Sequence, residues 1–281
     1  MVYKLDAKYV LKTDSFSAFA ALQNCIANNP DGKVEIDCTD TTYIHPAFIP
    51  LLGSLPHFGH LYNTEVIIRY SKSKSKKYIL DSGILKYYDD NGEIPSSKLP
   101  FDSLTYENLK DFSEVKTAIK KIIDTIPESA RKVNWGLLFS QIGEIFNNAK
   151  DHSDLQQYEK LYYSGTCIST NCVVSIYDNG VGIKKPVCEY LEKEVSDNEA
   201  LAWVFEDGNS TQNNTFSGIT RGIGLNSLMN FVESNDGSLI VCSGTALCEV
   251  KNREKIIKRL KNSIKGTLYV VMVNVNNELE I

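Results

Sequence analysis

The stretch VVSIYDNGVGI, residues 173–183, constrains the chain more than any other segment. It reads as an apolar strand that runs directly into Asp178, with Gly180 and Gly182 immediately behind it. A carboxylate at the end of a buried strand, next to glycines that let a flat ring approach the backbone, suits an exocyclic amine such as that of adenine. A tight turn closing a strand accounts for the same five residues, so both readings stand at this point.

The remainder of the chain decides what kind of core that strand can enter. At 281 residues, with 42% hydrophobic and 23% charged composition, the chain is long enough for one or two cores. A net charge of −5 means that nucleic acid or an anionic membrane could be held only by a local patch. No stretch approaches the roughly 18–20 apolar residues of a membrane span, and MVYKLDAKYVLK lacks the basic-then-apolar pattern of a signal peptide. A cytoplasmic protein with no membrane contact is expected. The seven cysteines are scattered without a C-x-x-C pair, most of them in apolar runs, which suggests neither a zinc site nor a disulfide framework.

Strands alternate with helices over the first ninety residues. Residues 15–28 carry helical spacing before the turn signal Asn-Pro-Asp-Gly, KVEIDC alternates as a strand, a helix follows near 46–55, a strand at 63–70 and a short helix at 78–88. The polar stretch DDNGEIPSSKLP, 89–100, reads as a linker, which divides the chain into an α/β unit at 1–95 and a second unit at 96–281. In the second unit, helices are expected at about 106–125, 130–151 and 223–234, and strands at about 159–168, 171–177, 237–244 and 266–275. Helices and strands in blocks imply an α+β sandwich whose sheet is mostly antiparallel and covered on one face. The segment 183–220 is polar and poorly periodic, and KNREKIIKRLKNSIK, 251–265, has the spacing of a docked basic helix. A nucleic-acid or acidic-partner contact through that basic face is the less favoured reading.

Two further features carry chemistry. In GEIFNNAKDH, 143–152, Glu144, Asn148, Asp151 and His152 share one helical stripe beside the apolar stripe Leu138, Ile142, Ile145 and Ala149. Such a stripe is either a solvated face or a set of oxygen ligands for magnesium with a carboxylate placed to deprotonate a nucleophile. In SGITRGIGLNSLMNFVES, 217–234, glycines precede a helix, so free N–H groups and the positive helix end form a phosphate cradle, without the Lys-Ser/Thr of the common P-loop.

Taken in order, these motifs over about 100–275 resemble the GHKL ATPase superfamily with its Bergerat ATP-binding fold. Glu144-Ile-Phe-Asn-Asn148-Ala-Lys-Asp151 looks like its N box, Asp178-Asn-Gly180-Val-Gly182 its first glycine box, Arg221-Gly222-Ile-Gly224-Leu225 its second, and Gly266-Thr267 its terminal Gly-Thr motif. The resemblance implies that Asp178 binds the adenine amine, that Asn148 coordinates Mg2+ with Asp151 in support, and that the second glycine box holds the phosphates of ATP. It also places Thr267 near adenine and makes about 183–221 a mobile lid. Glu144 fits a general base; Asp151 three residues after Asn148 is similar to the gyrase, MutL and chaperone branch, the Asn-Ala-x-x-His pattern ending at His152 is similar to the serine-kinase branch, and the motif does not separate the two. Residues 33–52 resemble a STAS-type domain in which His45-Pro46-Ala47 stands where the antagonists carry a phosphoacceptor serine. The expected function is a slow Mg-ATPase that controls a partner protein, with homodimerisation left open. A serine/threonine protein kinase and a nucleotide-dependent switch without turnover are the alternatives.

Overall fold

The helix IPLLGSLPHFGH, residues 49–60, is apolar almost all round, and nearly every residue of its first ten is buried. Such a helix has to lie between two layers. A computed structural model describes residues 1–70, 84, 88, 101–105, 111–124, 135–152, 160–168, 171–206 and 224–274. Those residues form seven α-helices and three sheets, a mixed α+β architecture.

The first unit supplies β1 (Val2–Lys4), β2 (Lys8–Tyr9), α1 (Thr13–Ala27), β3 (Lys33–Cys38), β4 (Tyr43–Ile44), a 3-10 turn at Pro46–Phe48, α2 (Ile49–His60) and β5 (Glu65–Tyr70). Strands β1, β3 and β5 pair in parallel in that order, as β-α-β crossovers require. Val34, Ile36 and Cys38 of β3 are buried, while its alternate residues Lys33 and Glu35 carry cross-strand ion pairs to Glu65 and Arg69. Of the helix expected at 78–88 only Ile84 and Tyr88 are described; Tyr88 donates its hydroxyl to the Leu52 carbonyl (2.6 Å). The linker at 89–100 lies outside the described residues.

The second unit contributes β6 (Phe101–Thr105), α3 (Phe112–Asp124), α4 (Trp135–His152), β7 (Lys160–Ile168), β8 (Asn171–Asp178), α5 (Lys184–Leu191), α6 (Asp197–Val204), α7 (Gly224–Ser234), β9 (Ser238–Lys251) and β10 (Glu254–Asn274). Five strands form one sheet in the order β6-β7-β8-β10-β9, every pair antiparallel. One face carries Val174, Ile176, Val241 and Val271 into a core with α3, α4 and α7. The other face was expected to be open and is not: Val173, Tyr177, Cys242, Leu268 and Val270 share a core with α1 and α2 of the first unit. Polar bonds seal this second face. Gln23 Nε2 donates to the Tyr177 hydroxyl (2.8 Å), which donates to the Lys265 carbonyl (2.6 Å), and Ser175 Oγ donates to the Ala47 carbonyl (2.7 Å).

Three sequence expectations are corrected. Residues 251–265 are not a helix: β9 turns into β10 through Asn252 and Arg253, both left-handed (φ 52° and 63°), so the basic run becomes half of a two-residue hairpin. Its apolar residues fit either period, and pairing with β9 decides between them. Within 183–220, the residues 184–191 and 197–204 are helical, the second helix held by a reciprocal cap between Ser196 and Glu199. Cys167 and Cys172 are direct cross-strand partners on β7 and β8 and form a disulfide, a juxtaposition created by register that spacing alone does not announce.

Candidate nucleotide site

Strand register builds the centre of the site. Asp178 at the end of β8 lies opposite Thr267 of β10, and Thr267 lies opposite Ser243 of β9, so three polar residues form one row across adjacent strands. All three are buried, at 4%, 3% and 5% exposure. By strand alternation the row shares its face with Ile176, Tyr269 and Val241, the face covered by α3, α4 and α7. Burial raises the Tyr269 hydroxyl's pKa, and the neighbouring Asp178 raises it further.

The loop after β8 is pinned to this row. Asp178 Oδ1 accepts the Gly180 N–H (3.1 Å), and Ser243 Oγ accepts the Ile183 N–H (3.0 Å) while donating to the Gly266 carbonyl (3.0 Å). Gly266 has φ of +81°, and a Cβ there would collide with the Asp178 carbonyl oxygen, so the two strands meet at a distance only glycine permits. Gly182 is also left-handed (φ +76°), with Ser243 Oγ 2.8 Å from where a Cβ would stand. A cavity of about 450 Å3 opens alongside, lined in part by Gly182, Lys184, Asp197, Ser243 and Gly266.

The expected site residues fall into three groups. Asp178, Gly180, Gly182 and Thr267 come together at one end of the sheet. Glu144 and Asn148 lie on α4 with Glu144 exposed and Asn148 half-buried, while Ile142, Ile145 and Ala149 pack into the core as the apolar stripe predicts. The backbone places Asp151 and His152 in the last turn of α4 and Gly224 at the start of α7, where Leu225 packs against the core. The side chains of Leu138, Asp151 and His152, together with Arg221 and Gly222, lie outside the described residues, as does 207–223 of the expected lid.

Two residues of this region escape a reading of the sequence. Ser243 sits in GSLIVCSG, which reads only as a strand. Asp197 looks like an ordinary first-turn acid, yet its Oδ2 accepts both the Thr245 N–H (2.8 Å) and the Thr245 hydroxyl (2.7 Å), fastening α6 to β9. The S-x-x-E cap at Ser196 and Glu199 is the signal that could have found this helix.

Comparison with protein-family models found no match to this chain, and comparison with curated proteins found none either. Among the described residues, no helix is long and apolar enough to cross a membrane.

Proposed function

We propose that the chain is a cytoplasmic ATP-binding protein of the GHKL type, with a Bergerat nucleotide unit and a STAS-like first unit, that binds Mg-ATP and hydrolyses it slowly to control a partner protein. The observation that supports this reading is the pairing of Asp178 with Thr267 on the helix-covered face, with Gly182 and Gly266 at the same end. Two oxygen acceptors in a buried row match a base that presents N–H groups. Asp178 would accept from the adenine amine, and the glycines would let the strand ends and the following loop close around it.

Magnesium fits the helix side of the site by chemistry: a side-chain amide oxygen such as that of Asn148 is a hard ligand, and Mg2+ commonly completes its shell with water and phosphate oxygens. When bound, the ion would neutralise charge on the phosphates. Glu144, exposed on the same helix one turn before Asn148, would take the proton from the attacking water.

Isothermal titration of the full chain with a non-hydrolysable ATP analogue, with and without magnesium, tests the reading. Magnesium-dependent binding that is lost in Asp178→Asn is expected, and no binding by the parent chain would overturn it. Glu144→Ala should bind normally and release no phosphate; turnover at the parent rate would remove Glu144 from the base role. Label passing from ATP to a protein serine would instead support kinase transfer, and binding without turnover a switch.

A further inference from the structure

Strand β10 outruns its neighbour on the inner side of the sheet. It pairs with β8 only from Thr267 to Asn274, while its first residues, Glu254 to Arg259, pair with β9 alone. The turn at Asn252 and Arg253 closes this two-stranded arm and makes Lys251 and Glu254 its first bonded pair. Bonded and non-bonded pairs alternate in an antiparallel ladder, so Lys255, Ile257 and Arg259 turn their N–H and C=O groups away from β9. Further along β10, α1 supplies partners to the backbone: Ser17 Oγ accepts the Lys261 N–H (3.2 Å), and Gln23 Oε1 accepts the Lys265 N–H (2.9 Å). Among the described residues, no such partner meets the backbone between Lys255 and Arg259.

The charge of the arm is opposite to that of the chain. Residues 247–261 hold six Lys or Arg and two Glu, in a chain of net charge −5. Glu249 pairs with Lys258 (2.7 Å) and Asp14 with Lys261 (3.3 Å), whereas Lys251, Arg253 and Arg259 are exposed and form no ion pair among the described residues. Ile256, on the opposite face of the strand from Lys255 and Arg259, is 46% exposed.

We infer that the free edge of β10 from Lys255 to Arg259 is a docking strand for an extended segment of a partner protein in which acidic residues alternate with apolar ones. The backbone of such a segment meets the outward amides and carbonyls, its carboxylates lie on the side of Lys255 and Arg259, and its apolar residues lie on the side of Ile256. A second copy of the arm brings the same cations and is repelled. Nucleic acid would use the cations and leave the amide ladder empty. The inference is independent of the nucleotide reading.

The test is fluorescence anisotropy of a labelled, end-capped peptide of alternating Glu and Val, titrated with the full chain at low salt. Binding is expected, with none by the matching peptide of alternating Lys and Val. Methylating every second backbone nitrogen of the Glu-Val peptide removes the donors of one edge without touching its charge, and should weaken binding by roughly tenfold or more. Arg259→Glu, at an exposed side chain and with an unchanged melting temperature as the check on folding, should weaken it by about as much. No binding of the Glu-Val peptide by the parent chain overturns the inference. Equal affinity for the methylated peptide, or no loss in Arg259→Glu, overturns it too, because the attraction would then not run through this edge. A DNA duplex that binds the parent chain more tightly than the peptide and loses that affinity in Arg259→Glu would make the arm a nucleic-acid surface instead.

Discussion

Alternate residues of the same strands build the two faces of the five-stranded sheet, and the two faces use their polar groups in opposite ways. On the face against the first unit, the Tyr177 hydroxyl lies between Gln23 and the Lys265 carbonyl, and Ser175 is bonded to Ala47. These bonds lock two units together. On the helix-covered face, Asp178, Thr267 and Ser243 form a row whose internal bonds run to glycine backbone and to the loop after β8. Buried polar groups that are bonded inside the chain specify packing, and on this second face they specify where the β8 loop and the β10 glycine sit.

The largest expected effect comes from breaking the point where both faces depend on one residue. Gly266→Ala forces a Cβ into the Asp178 carbonyl at a left-handed position, and should cost about 3 kcal/mol or more in denaturant unfolding and abolish nucleotide binding. A smaller change separates the faces. Tyr177→Phe strands the buried Gln23 amide and should lower stability by roughly 1–3 kcal/mol, while nucleotide affinity stays within about twofold of the parent. A Tyr177→Phe chain of normal stability and weakened affinity would reverse the division proposed for the two faces.

The smallest effect is a pH dependence confined to the first unit. Burial pushes the pKa of His45 down to about 4, and burial, aided by Lys160 and His60, does the same for His57. His45 works as a neutral acceptor, with Nδ1 taking the Ala47 N–H (3.2 Å). Unfolded imidazole titrates near 6.5, so as pH falls from there towards 4 the unfolded chain takes up protons that the folded chain refuses. Stability is full above about pH 6.5 and should fall by roughly 1 kcal/mol per histidine between pH 7 and 5, allowing for their partial exposure. His45→Asn keeps a capping acceptor without the titration and should remove about half of the fall over that window, leaving the share of His57.

The legible parts of the molecule were those whose signal is local. Asp178 with its glycines, the apolar stripe of Ile142, Ile145 and Ala149, and the strand KVEIDC each announce themselves within a dozen residues, and the structure places them as strand end, buried helix face and half-buried strand. What register creates was not legible. Nothing near Ser243 points to Thr267, and nothing near Cys167 indicates that Cys172 would face it. Nor does Tyr177 disclose its bond to Gln23, which is 154 residues away in sequence. The basic run at 251–265 went astray for a related reason, because its partner strand, and not its own spacing, decided its period.

The most direct test of the division between the faces is amide hydrogen exchange of the full chain with and without magnesium and ADP. Slowed exchange is predicted at Gly180, Gly182 and Ile183 and around Thr267, with the α1 and α2 amides unchanged. Protection confined to α1 and α2, or none anywhere at saturating ADP, would contradict the assignment of the helix-covered face as the ligand site.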